Sequence, residues 1–337
     1  MKNLLDPAIL FFIFGVFAGT LKSNLEIPQQ ISRFLSLYLL MALGLKGGFA
    51  LAHSGLTGQV VTGLGCAILL AVLIPLIGYA VLHRSLSNFD AAAVAATYGS
   101  VSAVTFVTAV QTLESQHVPF GGHMSAAMAL MESPAIILAV VFANTLRQRA
   151  ASFAATSGSA TAGRVTGAQP ERPAISLGKV LHESFTDGAQ LLLLGAMVVG
   201  ILSGDAGKIA MQPFTGDLFK GMLAFFLLDM GLLTARSLPQ IPNKSPWLIV
   251  YAVLGPLTHA ALALGLAWLV KLPAGDAALL MVLAGSASYI AVPAVLRHAV
   301  PEANPSLYFG LSLGITFPLN ILFGIPLYLY IARLALG

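Results

Sequence analysis

The chain has 337 residues, of which 57% are hydrophobic and 9% charged, with Lys and Arg exceeding Asp and Glu by four. Soluble domains carry about a quarter charged residues, so this composition, with a mean hydropathy of +0.87, excludes a water-soluble globular fold and makes lipid the solvent of most of the chain. Backbone groups in lipid must be satisfied internally, and the apolar runs are long and do not alternate, which predicts helices and excludes a transmembrane barrel.

In chain order, cutting the apolar runs at their charged or Pro/Gly-rich joints predicts helices near 7–21, 31–52, 58–82, 89–113, 122–146, 183–203, 215–235, 245–270, 276–299 and 304–335, where a helix needs roughly 20 residues to span the hydrocarbon. The first is read as a mature span, because Asp6 precedes it and no small-x-small cleavage pattern follows. The lone Cys66 falls inside the third and is a small apolar filler; one cysteine makes neither a disulfide nor a metal cluster. Between the fifth and sixth helices, the Ala/Ser/Thr/Gly tract from Ala150 to Gly163 has too little apolar patterning to pack. The expected organisation is a first repeat over 1–146, a flexible cytoplasmic linker over 147–182 and a second repeat over 183–337.

The linker holds Arg147, Arg149, Arg164, Arg172 and Lys179 against Glu171 alone, which places it in the cytoplasm by the positive-inside rule. Five spans on either side then put both termini outside, with eleven basic residues on the cytoplasmic side against six on the other. The pI near 9.2 reflects these loop residues. No basic run is interleaved with aromatics, so nucleic acid is not an expected partner. The histidines show no metal-ligand spacing, and no Walker-type phosphate loop occurs, which removes an ATP-driven pump carried on this chain.

The two halves share a pattern. Asp90-Ala-Ala-Ala precedes Gly99-Ser100-Val101-Ser102, and 186 residues later Asp276-Ala-Ala-Leu precedes Gly285-Ser286-Ala287-Ser288. Upstream, Gly44 matches Gly231 at an offset of 187; downstream, Glu132-Ser-Pro134 matches Thr316-Phe-Pro318 at 184. Four matches in one order argue for duplication, and five spans per copy force the second to cross in the opposite sense. The predicted fold class is therefore an all-α integral membrane protein, ten transmembrane helices as a 5+5 inverted-topology repeat, with the fourth span of each half broken.

A single Gly-Ser-x-Ser in a membrane helix is most simply a place where helices approach closely. Paired interruptions at matching places point instead to a binding site, where the residue after each break opens a half-helix whose N–H groups and positive dipole end face an anion. Gly99, Ser100, Ser102, Thr105, Gly285, Ser286 and Ser288 are the candidate substrate and ion residues. Hydroxyls donate to an anion and accept toward a cation, so Na⁺ is a candidate at Ser100, Ser102, Ser286 and Ser288. No other cofactor is implied. Glu132, before Pro134 in an apolar span, is a candidate for coupling or gating, with a structural role equally open; Asp229 is expected to pair with Lys46 or a backbone donor.

Tyr98-Gly-Ser-Val-Ser-Ala-Val-Thr-Phe106 running on to Glu114, Pro301-Glu-Ala-Asn-Pro-Ser-Leu-Tyr-Phe-Gly310 and Gly324-Ile-Pro326 resemble the sodium-dependent bicarbonate transporters, single-component bacterial permeases, over nearly the whole chain. The resemblance implies uptake of bicarbonate driven by Na⁺ across a bacterial inner membrane, a core part moving against a scaffold part, a homotrimer, and a nitrogen-regulatory-like cytoplasmic partner. Carried over by position, the family's anion and sodium region falls on the same glycines, serines and Thr105. Where the family has a serine-rich run with an aspartate after the second serine pair, this chain reads Ser288-Tyr289-Ile290-Ala291, which leaves H⁺ coupling through Glu132, or altered selectivity through Tyr289, as an alternative. A membrane receptor signalling through the linker is a further alternative, and an enzyme is not expected.

Overall fold

A computed structural model of the protein describes residues 5–55, 57–157, 188–237 and 246–337, and every regular element among them is helical. In chain order these are α1 (Pro7–Thr20), α2 (Gln29–Ser54), α3 (Gly58–Leu82), α4 (Asn88–Gly99), α5 (Ala103–Ser115), α6 (His123–Ser157), α7 (Gly188–Ala210), α8 (Leu218–Ser237), α9 (Pro246–Leu269), α10 (Ala274–Ala284), α11 (Ala291–Ala299) and α12 (Pro305–Leu336). Eight helical stretches among the described residues are long and apolar enough to cross a bilayer; α4 with α5 makes one of them. Two of the predicted spans fall short of that length. The 14 residues of α1 reach about 21 Å at 1.5 Å per residue, against roughly 30 Å of hydrocarbon. The span predicted over 276–299 is cut into α10 and α11 by six non-helical residues.

Local chemistry sets the ends of these helices. Asp6 caps α1 through Ala8 N–H, with Pro7 at its first position, and Ser87 caps α4 through Asp90 N–H. Gly204, at φ 53° and ψ −142°, breaks the regular course of α7 near the predicted end of that span; a side chain there would strain this left-handed backbone. Helix α6 runs to Ser157, into the stretch assigned to the linker, because Ala-rich sequence favours helix where no proline or glycine interrupts it. The rest of the linker lies outside the described residues.

Packing separates the interior from the lipid face. Helix α1 lies along α8, and α2 along α7, each pair meeting at glycines: Gly15 on Gly231, and Gly48 on Gly200. A β-carbon at any of the four would enter the facing backbone, the small-residue contact that membrane helices use for close approach. Phe11, Phe14 and Phe17 of α1 and Leu202 of α7 stay exposed. By contrast α4, α5 and α10 are almost wholly buried, enclosed by α3, α6, α9 and α12. The two interrupted stretches therefore sit at the centre, away from lipid.

Candidate functional site

Both interruptions rest against a proline of the preceding helix. Gly99 ends α4 where a β-carbon would stand 2.5 Å from Pro75 Cδ of α3, and Gly285 ends α10 where one would stand 3.0 Å from the Pro256 carbonyl oxygen of α9. At Gly99 only glycine permits that approach, and at Gly285 a β-carbon would also crowd the Tyr328 hydroxyl at 2.9 Å. Pro256 lacks an N–H, which leaves the Ala252 carbonyl without its helical donor; Thr316 Oγ1 supplies one at 2.8 Å and also pairs with the Tyr98 hydroxyl at 2.7 Å.

Past each glycine the backbone extends and the two segments cross. Ser288 N–H donates to the Thr97 carbonyl at 2.8 Å. In the opposite sense, Ser102 N–H donates to Ser286 Oγ at 3.0 Å, which in turn donates to the Leu283 carbonyl at 2.9 Å. Ser102 Oγ caps α5, accepting from Thr105 N–H at 3.2 Å and from Thr105 Oγ1 at 2.9 Å. Ser288 Oγ accepts from Val292 N–H in the first turn of α11 at 3.3 Å. Asn320 Nδ2 of α12 donates to the Gly285 carbonyl at 2.7 Å. These groups are buried, where an unmade hydrogen bond costs about 1–3 kcal/mol. Ser100 Oγ and the Tyr289 hydroxyl are exceptions at the crossing: both residues are buried and neither oxygen has a partner.

A pocket of about 60 Å³ opens beside the crossing, lined by Val101–Val104, Ser288–Ile290, Ser36 and Leu40 of α2, Met128 and Glu132 of α6, and Ala189, Gln190 and Leu193 of α7. One water needs roughly 10–15 Å³ of such space, so the pocket takes a few water-sized groups. Ala103 and Val104 at the start of α5, and Ile290 just before α11, line its wall, and the positive dipole ends of these two helices favour an anion there.

The structure brings the sequence-predicted residues together but divides their positions. Ser102, Ser288, Tyr289 and Glu132 line the pocket, whereas Ser100, Thr105 and Ser286 lie behind it in the crossing and Gly99 and Gly285 form the breaks. Tyr289 packs edge-on against Phe317, ring centroids 5.0 Å apart, and its hydroxyl faces Ser102 without completing a hydrogen bond of ordinary geometry. Glu132 accepts from Gln190 Nε2 at 2.8 Å. Among the described residues, no group of three or more His, Cys, Asp or Glu is placed to hold a metal.

Sequence reasoning missed several contributors. Gln190 and Ser36 reach the pocket from α7 and α2, and only the packing of those helices reveals them. Asn320, a polar side chain two residues after Pro318 in an apolar span, was the signal available for the support of Gly285. The expected Lys46–Asp229 pair does not form. Asp229 instead accepts from Ser32 Oγ, and Lys46 bonds both oxygens of Glu114 at 2.9 Å.

No curated protein matches the sequence. The model of the Na⁺-dependent bicarbonate transporter superfamily matches residues 7–333, which identifies a membrane transporter rather than an enzyme. With nearly its whole length in that match, the chain belongs to the Na⁺-dependent bicarbonate transporter superfamily.

Proposed function

We propose that this protein is a secondary active transporter that imports bicarbonate, or a similarly small oxyanion, together with Na⁺. The crossing carries this reading: two broken segments exchange hydrogen bonds, one to a backbone carbonyl and one to a serine hydroxyl, leave Ser100 Oγ buried and unpaired, and present two helix N-termini to a pocket of a few water-sized groups. The anion lies against the α5 and α11 N-termini beside Ser102 and Ser288. Na⁺ takes Ser100 Oγ with carbonyl oxygens from the C-terminal end of α4, where the helix dipole is negative.

The site's architecture is a ten-crossing inverted repeat, and reciprocal contacts support it. Asp90 Oδ1 accepts from Asn304 N–H at 2.7 Å, and its counterpart Asp276 Oδ1 accepts from Gly121 N–H at 2.5 Å. Each half thus reaches with its aspartate to the loop before the last long helix of the other. The exchange of partners between α1–α8 and α2–α7 follows the same rule. In this reading both termini face outside a bacterial inner membrane, and three copies assemble with a nitrogen-regulatory-like protein docking on the cytoplasmic face. Native mass measurement of the purified protein, alone and with such a partner, tests the assembly.

Labelled bicarbonate uptake into proteoliposomes, with and without an inward Na⁺ gradient, tests the transport reading: accumulation that requires the Na⁺ gradient supports it, and none under either condition refutes it. A second reading, H⁺ coupling, is favoured by the place of Glu132 in the pocket wall; accumulation driven by a pH gradient without Na⁺ selects it.

A further inference from the structure

A second, larger cavity of about 590 Å³ shares no lining residue with the pocket and lies among the C-terminal parts of α2, α5 and α7. Its ionisable lining is Lys46, His53 and Lys208 against Glu114 and Asp205. Lys46, 23% exposed, holds both Glu114 oxygens at 2.9 Å, and its ammonium sits 4.2 Å over the Phe219 ring centroid. Glu114 is the penultimate residue of α5, the half-helix whose N-terminus walls the pocket.

A carboxylate offers two oxygens on a planar carbon, and bicarbonate offers the same edge. Lys46 is thus already engaged with a tethered copy of the ligand's recognisable end. Phe219 holds the ammonium from one side by cation–π attraction, while the open cavity gives a partly hydrated ion room to arrive on the other. We propose that Lys46 is a second, access-stage binding site for a small carboxylate-like oxyanion such as bicarbonate, at which the Glu114 carboxylate is a built-in competitor. The inference rests on the anion reading above but concerns a different cavity. Arrival of the anion displaces Glu114, and its departure toward the pocket lets the ion pair re-form, so α5 reports occupancy of the access site to the wall of the pocket.

An ion pair that merely ties α2 to α5 predicts that neutralising either partner has the same effect. A competitor predicts opposite effects. Half-saturating bicarbonate is measured in proteoliposome uptake and, separately, by bicarbonate-dependent thermal stabilisation of purified protein. Lys46→Gln is expected to raise it about tenfold, the scale of one lost charge-assisted hydrogen bond, with Lys46→Arg near wild type. Glu114→Gln is expected to lower it several-fold, and Lys46→Gln in that background to abolish the gain. Equal shifts in one direction for both single variants, or no shift in either, would overturn the proposal. Should Lys46→Gln fail to fold, Glu114→Gln alone decides, since a tie predicts weakened binding and the competitor predicts tightened binding. Absence of wild-type flux would refute the transport reading while leaving the stabilisation arm as the test of this site.

Discussion

The two broken segments carry the same residues and use them differently. In the second half, Ser286 Oγ is consumed as a bridge between Ser102 N–H and the Leu283 carbonyl. In the first half its counterpart Ser100 Oγ bonds nothing, because Ser288 N–H reaches the Thr97 carbonyl directly. The aspartates diverge too: Asp90 pairs with the exposed Ser87 hydroxyl, while Asp276 is buried beside His123, 3.7 Å away. The two Gly-Ser-x-Ser segments match in sequence, yet packing commits Ser286 Oγ to holding the crossing and leaves Ser100 Oγ without a partner.

The strongest way to break this comparison is to fill a break. Gly99→Ala puts a β-carbon against the Pro75 ring and should cost about 1–3 kcal/mol of stability through overpacking, with transport lost; a thermal melt in detergent beside an uptake assay reads both, and wild-type values in each would contradict the close-approach role. Next comes Ser286→Ala, which strands a buried Ser102 N–H and should destabilise by about 1–3 kcal/mol. The matching Ser100→Ala loses no bond and should melt like wild type, yet require more Na⁺ for uptake. Reversal of those two outcomes would dissolve the distinction between the copies. Ser102→Ala removes the cap of α5, worth about 1 kcal/mol, and should lower uptake with it. Smallest is Glu132→Gln, which should leave Na⁺-driven uptake intact; loss in this variant of an uptake driven by a pH gradient without Na⁺ would instead favour H⁺ coupling.

The all-helical character and both breaks were legible in the sequence, because apolar runs announce spans and Gly-Ser-x-Ser marks where they stop. The two halves of the crossing were not equally legible. A serine side chain is visible in a sequence, as Ser286 is for the bond from Ser102, but the Thr97 carbonyl that receives the other crossing bond is a group common to every residue. Pairing was misjudged where it depended on helix neighbours: Lys46 and Asp229 were the conspicuous opposite charges, whereas α5 brings Glu114 to Lys46 and α2 brings Ser32 to Asp229. The end of α6 was misplaced because alanine, read as linker composition, is also the best helix former.

The central claim is that the crossing seats the transported ions, and density in a bicarbonate- and Na⁺-loaded structure tests it most directly. A planar anion against the N-termini of α5 and α11, touching Ser102 and Ser288, with a cation at Ser100 Oγ, is the predicted result. An empty crossing, with both ions bound elsewhere in the chain, would contradict it.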